Sequence, residues 1–210
     1  MKFLRNIILS NDSRLVIVHL DMSIINHVYD IRLNPEELNK YRSITNEVRK
    51  CEFLSIRKAI QSIYDENEFI TYSKNGKPNL AISGHKISIS HSKGLLGILI
   101  HPEVEVGIDL QHETPKIIKI HKRFMSPKEL ENSEGDEWQM LTHWCAKEAL
   151  YKYYSKGNVE FSSNLFVEAF ELQNSGKLKG KIMMHDMVKD IPLEYEIIDD
   201  TMIVYTMEES

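Results

Sequence analysis

Residues Val106–Gln111 read VGIDLQ, and this stretch governs how the rest of the chain is interpreted. Its apolar, β-branched residues indicate a β-strand, yet Asp109 stands among them. A buried carboxylate without a partner is costly, so Asp109 needs a cation, a set of hydrogen-bond donors, or exposure at a strand end. The segment therefore predicts a strand whose aspartate is either functional or lies at the surface.

The composition is that of an ordinary globular chain. With 210 residues, 42% of them hydrophobic, it can form one large domain or two small lobes. The net charge of −5, with acids and bases interspersed, gives no sign of a nucleic-acid or membrane surface, and we expect neither partner. Cys51 and Cys145 lack metal-ligand spacing, and no run approaches the roughly 20 apolar residues of a membrane span. We expect a cytoplasmic protein with buried thiols.

The first part of the chain predicts a strand followed by helices. Arg14–Asp21, RLVIVHLD, is rich in β-branched residues and indicates a buried strand. In NPEEL, Asn34 can cap a helix, Pro35 suits its first turn, and the two glutamates complement its dipole. Apolar residues at helical spacing extend to Tyr64, with an expected break near residues 43–46.

Short strands and a second long helix are expected in the remainder. NGKP, Asn75–Pro78, predicts a turn, and KISIS, LLGILI and VEVGIDL predict three strands of an antiparallel meander. A helix is expected over about residues 137–156, with Gly157 as its C-terminal cap. From Phe166 the pattern returns to strands and ends in a hairpin, LEYEIIDDTMIVYTM.

An internal similarity divides the chain into two parts. VHLDM, LNPEEL and a long helix resemble VGIDL, FMSPKEL and a second helix, and β segments follow both. This order predicts an α+β protein of two similar lobes, residues 1–104 and 105–210, joined near residues 103–106. We expect the lobes to pack closely, with the active site in the cleft between them and its metal and catalytic residues on the C-terminal lobe.

The second helix carries a distinctive set of side chains on one side. Residues at spacings of three and four are Trp144, Lys147, Glu148, Tyr151 and Lys152. A solvated face with a Glu148–Lys152 ion pair is one interpretation, although the tryptophan argues against full solvation. The functional interpretation joins Glu148 to Asp109, because Mg²⁺ takes one or two carboxylates together with substrate phosphates. Phosphate oxygens would then find donors at Lys147, Lys152, Ser90, His91 and the amides of the SHSKG loop.

Five motifs, in this order and at these separations, resemble the 4′-phosphopantetheinyl transferases of the Sfp type: NGKP, ISISHS, VGIDLQ, KRFMSPKEL and WCAKEALYK. The resemblance covers about residues 49–157, and its specific part is the W-x-x-K-E-x-x-x-K helix together with the G-I-D strand. It implies two α+β lobes related by a pseudo-twofold axis, with coenzyme A held between them. It also implies Mg²⁺-dependent transfer of the phosphopantetheine arm of coenzyme A to a serine of an acyl or peptidyl carrier protein, with release of 3′,5′-ADP. We expect the enzyme to be a monomer.

The resemblance also implies roles for individual residues. Asp109 and Glu148 would bind Mg²⁺, Glu148 would act as general base, and Lys152 would be the third catalytic residue. The coenzyme A contacts that it implies are Arg49, Lys77, Pro78, Ser90, His91, Lys147 and Lys152. Lys40 or Arg42 would replace the N-terminal lysines of the family, and Glu129 would have a supporting role.

Two positions depart from the family pattern. Gln111 occupies a metal-ligand position that is commonly acidic, and Ser88 stands where an asparagine often occurs. An amide can bind Mg²⁺ through its oxygen but brings no charge, so weaker metal binding is expected. Two alternatives therefore remain: a catalytically impaired homologue that binds coenzyme A, and a metal-dependent phosphohydrolase that uses the same carboxylates.

Overall fold

The computed structural model describes residues 2–64, 68–185 and 187–209. They form an α+β protein with two antiparallel sheets, so the predicted fold class is confirmed. None of the helices in this described part of the chain has the length and apolar character that a membrane span requires.

The first sheet has six strands, and β2 confirms the strand predicted from Arg14 onward. Its strands are β1 Lys2–Ile8, β2 Arg14–His19, β3 Ile70–Tyr72, β4 Pro78–Leu80, β5 Lys86–Ser92 and β6 Leu95–His101. In space they follow the order β1-β2-β6-β5-β4-β3. The central strands β2 and β6 are buried almost throughout, which suits their runs of branched apolar residues.

Two helices and a 3₁₀ segment accompany this sheet. They are the 3₁₀ segment Met22–Asp30, α1 Pro35–Ser43 and α2 Glu47–Tyr64. α1 begins with a capping box, in which the Asn34 side chain accepts the Glu37 N–H at 2.9 Å and the Glu37 carboxylate accepts the Asn34 N–H at 3.3 Å. The predicted start and the predicted break between the helices are confirmed. Ile56 and Ile60 of α2 pack against Val16 and Ile98 of the sheet.

The second sheet has five strands, and its helices pack on one face of it. The strands are β7 Ile108–His112, β8 Leu165–Val167, β9 Ser175–Met184, β10 Met187–Ile198 and β11 Thr201–Thr206, in the order β7-β11-β10-β9-β8. The helices are α3 Lys116–Ile120, α4 Pro127–Ser133, α5 Glu137–Tyr154 and α6 Phe161–Asn164. Leu141 and Leu150 of α5 share a core with Met202 and Val204 of β11.

The end of the chain follows the sequence prediction closely. β10 and β11 form the predicted hairpin, and Asp199 and Asp200 make its turn with φ values of 48° and 55°. α5 ends at Tyr154, before the predicted end near residue 156. The reason is that Ser155 already adopts the left-handed conformation, with φ of 52°.

The predicted three-stranded meander is wrong. β5 and β6 pair with each other, but β7 pairs with β11 and is an edge of the second sheet. β7 instead meets the first sheet through side chains, because its backbone N–H groups at residues 108, 110 and 112 donate to hydroxyl groups of β5 at 3.1, 3.2 and 2.9 Å. The acceptors are Ser88, Ser90 and Ser92. The alternating serines of ISISHS therefore join the two sheets.

The two halves repeat one buried arrangement. Glu37 accepts hydrogen bonds from Arg57 Nε at 3.1 Å and from the Ile70 N–H at 3.3 Å. Glu129 likewise sits in a capping box, pairs with a cation of the following long helix and accepts the N–H of a later strand residue. This repetition supports the internal similarity, whereas the pseudo-twofold axis and the boundary at residues 104–105 stay predictions.

Candidate active site

The start of β7 lies directly against α5. A Cβ atom at Gly107 would lie 1.9 Å from the carbonyl oxygen of Ala149 and 3.0 Å from the backbone nitrogen of Tyr153. Any side chain here would push the strand away from the helix. Gly107 therefore sets the short distance between the strand that carries Asp109 and the helix that carries Glu148.

Asp109 is buried and paired. Its side chain is 7% exposed, and its Oδ1 accepts hydrogen bonds from the Ser90 hydroxyl at 2.8 Å and the Lys152 ammonium at 2.7 Å. Lys152 also donates to the Ile108 carbonyl at 2.9 Å. Exposure at a strand end is thus excluded, and a cation with a hydroxyl donor stabilises the carboxylate.

Glu148 lies one helical turn before Lys152 and is partly buried. The pKa of Glu148 is raised to about 7, mainly by burial and to a smaller extent by the nearby Asp109 carboxylate. The Lys152 ammonium opposes this rise. Within the described residues its carboxylate accepts no hydrogen bond and forms no ion pair. Glu148 is therefore a carboxylate that can hold or release a proton near neutral pH.

Gln111 follows Asp109 on the same face of β7, since side chains two residues apart on a strand point to one side. Its Nε2 donates to the His112 carbonyl at 3.1 Å, and its side chain is half-buried. Nowhere in residues 2–64, 68–185 and 187–209 do three His, Cys, Asp or Glu side chains gather as a metal cage. A cation at this place would thus have two carboxylates, Asp109 and Glu148, from the protein.

A pocket of about 300 Å³ lies beside Lys152, and both the first half of the chain and α5 contribute residues to its lining. Lys77 and Pro78 of the NGKP turn line it together with Ile89, Tyr151 and Lys152. The Lys77 ammonium pairs with the Glu105 carboxylate and lies 3.2 Å from the Ser155 hydroxyl. The structure therefore brings the NGKP turn and the C-terminal end of α5 together.

A second pocket of about 300 Å³ collects further predicted residues from the first half of the chain. Lys40, Arg49 and His91 line it, whereas Arg42 does not. Glu52 also lines it, and its Oε1 lies 3.1 Å from Nδ1 of His91. The predicted phosphate contacts Arg49 and His91 thus share one cavity.

The structure does not place Lys147 where a phosphate contact would need it. Its side chain has no exposed surface, and its ammonium donates to the Phe124 carbonyl at 2.6 Å, the Glu129 carboxylate at 2.7 Å and the Phe161 carbonyl at 3.0 Å. An ammonium has three donors, so none remains for coenzyme A. The physical reason is that consecutive helix residues project in different directions, and Lys147 faces away from Glu148.

Ser90 is likewise engaged within the protein. It is 8% exposed, and its hydroxyl both accepts the Leu110 N–H and donates to Asp109. This arrangement does not fit the predicted contact of Ser90 with coenzyme A phosphates.

Comparison with known proteins agrees with this geometry. Residues 105–204 match the family model of the 4′-phosphopantetheinyl transferase superfamily. This segment of the chain is similar to that superfamily. The matched segment contains Asp109, Gln111, Glu148 and Lys152, whereas Lys77 and the other predicted contacts of the first half lie outside it.

A curated relative supports the same superfamily. A protein of Synechocystis sp., provisionally named as a 4′-phosphopantetheinyl transferase, is 32% identical over 148 residues, which are 61% of this chain and 59% of the relative. The chain thus matches less than two thirds of the length of this relative.

The predicted burial of the two thiols, Cys51 and Cys145, is confirmed, whereas the buried His143 was not predicted. Cys145 is fully buried, and burial, followed by the neighbouring Asp109 carboxylate, raises the pKa of its thiol well above the usual range. His143 is 1% exposed, and neither of its ring nitrogens has a hydrogen-bond partner among the residues that the structure describes. Burial lowers the pKa of His143 to about 4. Helical spacing places Cys145 on the side of Glu148, which is a signal for its position near Asp109.

Proposed function

We propose that the protein transfers the 4′-phosphopantetheine arm of coenzyme A to a serine of an acyl or peptidyl carrier protein and releases 3′,5′-ADP. The observation that carries this proposal is the meeting of Asp109, Glu148 and Lys152 on the segment that matches the superfamily. The similarity of residues 105–204 to the superfamily supports phosphopantetheine transfer in general, and the acceptor and cofactor are our inference.

The donor set suits Mg²⁺. Asp109 and Glu148 offer hard carboxylate oxygens from a strand and a helix that Gly107 keeps close, and Glu148 has no protein donor in the described residues. A bound Mg²⁺ would supply positive charge for the pyrophosphate of coenzyme A. Gln111 lies on the same strand face and would add an amide oxygen rather than a third charge.

The protein's own groups then account for the chemistry. The carrier serine oxygen forms a bond to the phosphorus attached to pantetheine, and the bond from that phosphorus to 3′,5′-ADP breaks. Glu148 accepts the serine proton, and its pKa of about 7 means that its deprotonated form is well populated at neutral pH. Lys152 stabilises the transferring phosphoryl oxygens with its ammonium.

Coenzyme A itself would extend from this centre into the first half of the chain. Lys152, Lys77 and Pro78 all line the pocket between the NGKP turn and α5. This supports a binding path for coenzyme A that leads from Lys152 past the turn. The cavity of Lys40, Arg49 and His91 offers positive charge for a further phosphate of the same molecule. We assign Lys147 a structural role instead.

A binding protein without turnover is the second candidate, because Gln111 brings no charge to the proposed metal site. Incubation with coenzyme A, Mg²⁺ and purified apo carrier proteins, followed by mass spectrometry of the carrier serine, separates the two. Transfer supports the enzyme, and tight coenzyme A binding without any mass gain supports the second candidate. Release of phosphopantetheine to water instead would identify a phosphohydrolase.

A further inference from the structure

The serines of β5 differ in one contact. Ser88, Ser90 and Ser92 each accept a backbone N–H of β7 through their hydroxyl oxygen. Ser90 also donates to Oδ1 of Asp109 at 2.8 Å. Ser90 therefore links the two sheets and also donates a hydrogen bond directly to the Asp109 carboxylate.

Two donors hold Asp109 through the same oxygen. Both the Ser90 hydroxyl and the Lys152 ammonium bond Oδ1, and neither of these two bonds uses Oδ2. The two donors have different chemistry. Lys152 neutralises the charge of the carboxylate, whereas a hydroxyl orients it and leaves its full negative charge for a cation.

The two donors also differ in mobility. Ser90 sits on a short side chain that the Leu110 N–H fixes, in a strand paired on both sides. Lys152 ends a long side chain at the edge of the pocket and is needed at the phosphoryl oxygens in the proposed reaction. When Lys152 turns to the substrate, Ser90 is the donor that stays on Asp109.

We infer that Ser90 is a positioning residue that acts through Asp109, and that it does not contact a coenzyme A phosphate. This inference rests on the proposed function and adds to it the group that orients the metal-binding carboxylate. Loss of the hydroxyl leaves the Lys152 ammonium on Oδ1, and its long side chain orients the carboxylate less rigidly than Ser90 does, so a cation must order Asp109 on binding. Groups that orient metal ligands typically change metal affinity by about 10–100-fold.

The first test measures the hydrogen bond between Ser90 and Asp109 in the absence of metal. A double-mutant cycle of Ser90→Ala and Asp109→Ala is measured by urea unfolding in a chelator. Ser90→Ala should raise the unfolding equilibrium constant about tenfold more in the wild-type background than in Asp109→Ala. Ser92→Ala is the matched control, since it loses the same kind of N–H acceptor but touches no carboxylate, and its effect should be equal in both backgrounds. A Ser90–Asp109 coupling as small as that of Ser92 would overturn the inference.

The consequence for the site is tested by Mg²⁺-induced thermal stabilisation in the absence of coenzyme A. The Mg²⁺ concentration for half-maximal stabilisation should rise about tenfold in Ser90→Ala, stay at the wild-type value in Ser92→Ala, and return toward it in Ser90→Thr, which keeps a hydroxyl. An equal response of Ser90→Ala and the wild type would overturn the positioning role while leaving the proposed function standing. A wild-type protein without any Mg²⁺ response would also overturn the positioning role, whereas the proposed function would stand, because substrate phosphates would then be needed to hold the cation.

Discussion

The buried histidine of α5 makes the stability of this fold dependent on pH. His143 has a pKa of about 4 in the folded protein against an ordinary value of 6.5, because burial outweighs the opposing charge of Glu129, and Lys147 adds to the lowering. The difference of about 2.5 units corresponds to about 3 kcal/mol. Since the unfolded chain takes up the proton first, this contribution is intact above pH 6.5, falls as the pH drops through that value, and is lost by about pH 4.

The substitution His143→Leu isolates this effect. In the described part of the chain neither ring nitrogen has a hydrogen-bond partner. Leucine, which is similar in volume, should therefore keep the free energy of unfolding at pH 7 within about 1.5 kcal/mol of the wild type. Urea unfolding from pH 7.5 to 4.5 should show a wild-type curve that falls more steeply than that of His143→Leu. Parallel curves for the two proteins would refute the reasoning.

His101 is the matched contrast. It is also fully buried, but its Nδ1 accepts the N–H groups of Glu103 and Val104 at 3.0 and 2.9 Å and its Nε2 bonds the Asn11 carbonyl at 2.9 Å. His101→Leu leaves three backbone groups without partners and should cost about 3 kcal/mol or more at neutral pH. A tolerated His101→Leu would show that hydrogen bonding does not separate these two histidines.

Four further substitutions test the site. Lys147→Met strands the Glu129 carboxylate and should cost about 3–5 kcal/mol in urea unfolding, whereas Lys152→Met should stay folded and lose kcat. A stable Lys147→Met protein with a raised KM for coenzyme A would instead support the predicted contact of Lys147 with a coenzyme A phosphate. Gly107→Ala should force β7 from α5 and lower the melting temperature strongly, and wild-type melting would contradict that contact. Gln111→Glu should lower the Mg²⁺ concentration for half-maximal transfer, and an unchanged or weaker Mg²⁺ response would contradict a metal site at Asp109.

Local signals in the sequence predicted local structure well. Asn34 and its glutamates fixed the start of α1, and the β-branched run at Arg14 gave β2. The pairing of β7 was not predictable in this way, because its partner residues, such as Val204 opposite Asp109, lie near the other end of the chain. The motif for a strand is local, while the choice of sheet depends on long-range pairing.

The sequence was enough to single out the two carboxylates of the candidate site, but not to predict which residues contact each other there. Asp109 was unusual because a carboxylate in an apolar strand needs a partner, and Glu148 was unusual beside it. Spacing alone indicated which helix side a residue occupies, not how deeply it is buried, so Lys147 was placed with Glu148 although it faces Glu129. Ser90 was taken for a ligand contact because its sequence context does not reveal that Asp109 lies 2.8 Å away.

The most direct test of the central claim is the mass of a purified apo carrier protein after incubation with coenzyme A, Mg²⁺ and this protein. With the wild type, the carrier serine should gain the phosphopantetheine arm and 3′,5′-ADP should appear in equal amount. Asp109→Ala and Glu148→Ala should remain folded and lose most of this transfer, since both are proposed to serve the reaction centre rather than the core. Near wild-type transfer by either variant at saturating Mg²⁺, or an unmodified carrier with the wild type across the carriers of the host, would contradict the account.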